Sequence, residues 1–84
     1  MLKTLEIIDT LNHYGPCSAA TLMTMHTVSV ATLKRHIAEA RLLGADVASV
    51  KVGASWSFEL LNGPKVMPLC KRWIELERGR TLLS

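Results

Sequence analysis

Between Ser29 and Gly44 the chain reads SVATLKRHIAEARLLG and carries three bases, Lys34, Arg35 and Arg41. If the stretch is helical, Leu33, Ile37 and Ala40 form a narrow apolar line, with Leu43 at its margin. Val30, Ala31, Lys34, Arg35, Ala38 and Arg41 then lie on the other side. Ser29 can accept from the free N–H groups at the start of such a helix, and Gly44 can end it at positive φ. Cations beside a capped helix N-terminus are suited to holding an anion, because the unpaired N–H groups and the helix dipole add to the side-chain charge.

Other residue sets carry less chemistry. Glu6 and Asp9 share a helix face, but it is the wet one and implies no cleft for acid–base work. His13, Cys17 and His26 can be drawn together as metal ligands, yet their spacing matches no standard zinc site and a fourth ligand is missing. Cys17 would need a lowered thiol pKa to act in redox chemistry. There is no Gly-rich phosphate loop after a strand. The expectation is a chain that is not an enzyme and needs no metal or cofactor.

With 84 residues, 49% hydrophobic and 20% charged, the chain has room for one globular domain with a modest core. No apolar run approaches the roughly 20 residues that span a bilayer, so no membrane partner is expected. MLKTLEIIDTL mixes charges with apolar residues and does not read as a signal peptide, which makes a cytoplasmic protein the expectation. Cys17 and Cys70 form no Cys-x-x-Cys pair and read as free thiols of a reducing compartment. The net charge is +3. It divides as −1 over residues 1–28, +1 over 29–62 and +3 over 63–84, so the excess sits mainly near the C-terminus.

The elements that would position these residues follow from periodicity. Leu2, Leu5, Ile8 and Leu11, widened by Ile7, predict a first helix that stops at Gly15-Pro16. Ser18 opens a short second helix with Ala19, Leu22 and Met25 or His26 inward, breaking near Thr27-Val28. The third helix is the stretch at Ser29. In DVASVKVGASWSFELL, Val50 and Val52 alternate with Ser49 and Lys51. After Gly53-Ala54, Trp56, Phe58 and Leu60 alternate with Ser55, Ser57 and Glu59. This predicts a two-stranded hairpin with one apolar and one wet face. Asn62-Gly63-Pro64 makes a turn, and Pro68 fits the first turn of a fourth helix. Leu69, Trp73 and Leu76 are its expected apolar stripe, and RGRTLLS is expected to be a loose tail.

Three helices followed by a hairpin, with SAATLMTMHTVSVATLKRHIAEARLLGADVASVKVGASWSFEL at their centre, resemble a winged helix-turn-helix. The stretch resembles the winged helix at the N-terminus of the biotin repressor and similar domains of DeoR-type regulators. The matching features are Ser18, Leu22, Val28-Ser29, Leu33, Ile37, Arg41, Gly44, Asp46-Val47, Gly53 and Trp56, and the resemblance runs roughly from Leu5 to Leu60. Thr27 stands where the motif usually has Gly, and His26 where it has a core Leu. A reshaped turn with Met25 in the core is therefore expected. Val30 and Ala31 replace the Arg or polar residues of many relatives. The fold class implied is α+β: three helices, a two-stranded wing and an additional C-terminal helix. Residues 1–62 would form the winged domain, and 63–84 a helix and tail for packing or dimerisation.

The resemblance implies a small double-stranded-DNA-binding regulator, a repressor of bacterial or phage type, with the helix Ser29–Leu43 in the major groove. Val30 and Ala31 would meet thymine methyls, and Lys34 a base or phosphate. Arg35 would clamp phosphate, and Ser29 and Thr32 would hydrogen-bond it. Lys51 and Ser55, beside Gly53 and Ala54, would follow the DNA backbone or the minor groove. His36 is read as a surface or boundary residue that could also meet a phosphate, and Trp56 and Phe58 as core. Few contacts per chain imply a homodimer on two half-sites, with Leu69, Trp73 and Leu76 as its surface. The alternative is a winged-helix protein-interaction module, such as a mobile-element inhibitor docking on a host nucleoprotein complex. An accessory DNA-binding subdomain of a recombination or replication complex would share the same helix chemistry.

Overall fold

The computed structural model describes residues 2–83, with side chains as far as residue 79. α1 (Leu2–Tyr14) buries Leu5, Ile7, Ile8 and Leu11. Each fully buried aliphatic side chain of this kind contributes about 1.5–3 kcal/mol. Gly15, at φ +77°, ends the helix, and its N–H reaches the Leu11 carbonyl at 3.0 Å. After Pro16, two residues form β1 (Cys17–Ser18), a strand too short to leave any period in the sequence.

Ser18 caps α2 (Ala19–His26), its Oγ accepting from the Thr21 N–H at 3.1 Å. Leu22 is fully buried, but Met25 is 47% exposed, and Met23 packs on the core instead. The turn after α2 is not reshaped: Thr27 itself adopts the left-handed conformation at φ +52°. Its N–H and that of Val28 both reach the Met23 carbonyl, the latter at 3.1 Å. This closure brings Val28 and Met23 together on the core, as the hydrophobic contact of such a helix end requires. That packing offsets a left-handed Thr, which costs about 1–2 kcal/mol.

α3 (Val30–Leu42) starts at its cap Ser29, whose Oγ accepts from the Thr32 N–H at 3.2 Å. Leu33, Ile37 and Ala40 are buried, while Leu43 is exposed. Gly44, at φ +106°, donates to the Arg41 carbonyl, and Ala45 donates to that of Ala40 at 3.0 Å. The pair forms a Schellman closure, with Ala40 and Ala45 both buried.

β2 (Val47–Val52) and β3 (Ser55–Leu60) form a hairpin joined by Gly53-Ala54, and β1 pairs on the far side of β3 to give a three-stranded antiparallel sheet. The register corrects the expected single apolar face. Lys51 lies opposite Trp56, Ser49 opposite Phe58 and Val47 opposite Leu60, whereas Val50 and Val52 lie opposite Ser57 and Ser55. Directly paired residues share a face. Trp56, Phe58 and Leu60 therefore look one way, and the exposed Val50 and Val52 look the other.

Asn62 fastens the end of the hairpin to the loop after α3. Its side chain donates to the Gly44 carbonyl at 2.9 Å and accepts from the Asp46 N–H at 2.8 Å. α4 (Gly63–Leu83) starts earlier than expected: Pro64 occupies the first turn, Pro68 lies inside the helix, and the helix continues through the predicted tail to Leu83. Val66, Met67, Cys70 and Ile74 are its buried stripe, and the helix packs on α1. The chain is thus α+β, with four helices and one antiparallel sheet. No helix among the described residues is long and apolar enough to cross a membrane.

Candidate nucleic-acid interface

The candidate interface is centred on the start of α3. Its axis is held by Leu33, Ile37 and Ala40, and its N-terminal end by Ser29. Ser29, Val30, Ala31, Lys34 and Arg35 are exposed, and Thr32 is partly so. Lys34 and Arg35 enter no ion pair among the described residues. The hydroxyls divide the work unequally. The Ser29 O–H donates to Thr32 Oγ1 at 3.1 Å, so its hydrogen is already used. Thr32 keeps its own hydroxyl hydrogen for an outside acceptor.

The hairpin contributes less uniformly than its sequence suggests. Lys51 and Ser55 are both exposed. Lys51, paired with Trp56, lies on the face that looks toward α3, while Ser55, paired with Val52, lies on the opposite face. Trp56, expected in the core, is half exposed and lines an open groove of about 480 Å³ between α3 and the sheet. Leu33, Ile37 and Phe58 form its apolar floor, and Lys34 and Arg41 its cations. Arg41 is held in place: its Nε and Nη2 donate to the Val47 carbonyl at 3.1 and 2.9 Å, and Nη2 also reaches Ser49 Oγ at 2.9 Å. The alternation of residues in the hairpin hints at none of this.

Two histidines turn inward to α1. His36 Nδ1 lies 2.8 Å from Thr4 Oγ1, which takes this ring away from any phosphate. His26 Nε2 lies 3.0 Å from Thr10 Oγ1. Burial holds the His26 pKa below its ordinary value of 6.5, the nearby Lys3 and His36 lower it further, and Glu6 opposes them.

The other candidates form no metal cluster among the described residues. Glu6 lies near Lys3 at 3.7 Å and Arg78 at 3.9 Å. His13, Cys17 and His26 are not brought together; the described residues hold no group of three or more potential metal ligands. Cys17 and Cys70 are free and buried. Burial pushes both thiols up, with the Asp9 carboxylate adding to the effect at Cys70. This disfavours the reactive thiolate.

Leu69, Trp73 and Leu76 are 61%, 50% and 53% exposed. They are not the stripe that packs α4 on α1 but a second apolar stripe, uncovered within the chain. Compared with protein-family models, curated proteins and solved structures, the chain matches none.

Proposed function

We propose that this chain is a winged helix-turn-helix DNA-binding regulator, a repressor acting as a homodimer, with α3 in the major groove and the β2–β3 hairpin as its wing. The observation that carries the reading is the exposed start of α3. Lys34, Arg35, the free Thr32 hydroxyl and the first N–H groups of a rigid, capped helix stand together. This is the chemistry that fixes a helix on phosphate while its first residues approach base edges. Val30 and Ala31 then read thymine methyls by contact. Lys51 extends the cationic surface from the hairpin. Support for the layout comes from the element order, with a tight turn at Thr27 between α2 and α3 and a hairpin after α3. Leu69, Trp73 and Leu76 supply the surface on which two copies would pair.

A Lys34→Ala, Arg35→Ala double variant tests the DNA reading. The folded fraction stays unchanged, because both side chains are exposed. Affinity for a duplex falls at least tenfold, and the slope of log affinity against log salt loses about two phosphate contacts' worth. Unchanged affinity, or wild-type binding that ignores salt, removes the reading.

A protein partner is the second reading, favoured by the exposed Leu69, Trp73 and Leu76 and by apolar Val30 at the tip of α3. Under it the double variant keeps full activity, and sensitivity moves to the surface around Trp73.

A further inference from the structure

The groove between α3 and the sheet has a composition that DNA alone does not explain. Its floor and walls are apolar, formed by Val30, Leu33, Ile37, Phe58 and half-exposed Trp56, yet Lys34 and Arg41 also line it and no acidic residue does. A phosphodiester would meet the cations and leave the floor unfilled. A neutral hydrocarbon would fill the floor and strip water from the cations without pairing them, which is unfavourable. The complementary occupant has an apolar body and an anionic end. A volume of about 480 Å³ lies within the range of small-molecule sites, roughly 300–1,000 Å³.

Arg41 and Ser49 make the polar end specific. The guanidinium is already held by the Val47 carbonyl and Ser49 Oγ through Nε and Nη2. Nη1 is left to donate. Ser49 accepts from Arg41 and so keeps its own hydroxyl hydrogen for another acceptor. Two donors fixed before a ligand arrives cost little further ordering on binding.

We propose that this groove binds a small carboxylate with an apolar body. The carboxylate accepts from Arg41 Nη1 and the Ser49 hydroxyl, and the apolar body lies on Leu33, Ile37 and Phe58 with Trp56 at its edge. Lys34 adds positive potential from α3. Because Val30 and Lys34 belong both to this groove and to the surface assigned to DNA, an occupied groove obstructs DNA. That consequence rests on the DNA reading; the site itself does not.

The test follows the side-chain indole N–H signals of Trp56 and Trp73 in the full chain by NMR, with 2-naphthoate as probe and 2-naphthalenemethanol as its uncharged counterpart. The Trp56 signal is expected to move and saturate at submillimolar naphthoate while Trp73 stays still. The alcohol binds about tenfold more weakly or worse. Ser49→Ala, which leaves the Arg41–Val47 bonds in place, weakens naphthoate about tenfold without lowering duplex affinity. Arg41→Lys weakens it as well and guards against a misfolded first variant. A Trp56 signal that never saturates, an alcohol that binds as tightly as the acid, or movement of Trp73 alone overturns the site. So does tighter binding at Trp56 by an acidic peptide carrying one aromatic residue. Full duplex affinity in the naphthoate-saturated chain overturns the obstruction. A chain that binds naphthoate but no duplex loses the DNA reading and keeps the site.

Discussion

At the scale of single residues, the fold uses His26 in a way that ties its stability to pH. The Thr10 hydroxyl gives its hydrogen to the Glu6 carbonyl at 2.9 Å, so its oxygen accepts from His26 Nε2–H at 3.0 Å. The second ring nitrogen stays unprotonated more readily than in water, because burial, and then Lys3 and His36, disfavour the cation. The unfolded chain takes up this proton near pH 6.5, whereas the folded chain takes it up only at lower pH. Between those two values the unfolded state binds more protons, so stability falls as pH falls; above pH 6.5 the contribution is fully present. Urea midpoints are therefore expected to be level at about pH 7–8 and to decline from about pH 6.5 downward, in the range set by the His26 shift. At alkaline pH the raised thiols of Cys17 and Cys70 lower them again. His26→Gln keeps an N–H donor for Thr10 and removes that part of the decline. An undiminished decline in the variant would assign the pH dependence to other groups.

At the scale of elements, the connection between α2 and α3 makes a second test. Thr27 occupies a left-handed position that glycine adopts without steric cost. Relief of about 1–2 kcal/mol of strain is set against the greater chain entropy of glycine, roughly 0.5–1 kcal/mol. Thr27→Gly is thus expected to raise stability by up to about 1 kcal/mol, seen as a Tm several degrees higher. A lower Tm would mean that the Thr27 side chain itself stabilises the turn. The helix starts at Ser18 and Ser29 and the stop at Gly44 were legible in the sequence, because caps are local and depend on one side chain or one φ. The hairpin was legible as strands but not as faces. Its two-residue turn sets Val52 opposite Ser55, which puts the valines of β2 and the aromatics of β3 on opposite sides. β1 left no signal because two residues have no period, and its pairing comes from β3, some 40 positions away. In α4 the larger side chains misled. Leu69, Trp73 and Leu76 are spaced like a core, but the loop that Asn62 fastens to Gly44 and Asp46 orients the helix so that Val66, Cys70 and Ile74 meet α1. Among the interface residues, exposure at Ser29, Lys34 and Arg35 was legible from the Leu33–Ile37–Ala40 line. The separation of Lys51 from Ser55, and the groove at Trp56, depended on register and were not.

At the scale of the whole molecule, α1 packs against both α3 and α4, so the two candidate surfaces belong to different helices on a shared support. A cationic α3 and an apolar stripe on α4 can then serve different partners at once, which is what a dimer on two DNA half-sites requires. The stripe is half or more exposed at three large residues, and covering it removes apolar area from water at about 25 cal/mol per Å². Two copies of a small chain that bind through few phosphate contacts each gain from the pairing, because the second half-site is then engaged at high effective concentration. Leu69→Glu together with Trp73→Glu is expected to leave the fold intact, since neither residue belongs to the buried stripe of Val66, Met67, Cys70 and Ile74. If the proposed dimer forms, light scattering falls in this variant from twice the 9.3 kDa chain mass to a single chain, and duplex affinity falls with it while its salt dependence persists. Lys34→Ala, Arg35→Ala should do the reverse, keeping the dimer and losing DNA. A wild-type chain that scatters as one copy at every concentration, with duplex affinity untouched by the α4 variants, would make the stripe a surface for some other protein and the DNA-bound form a monomer.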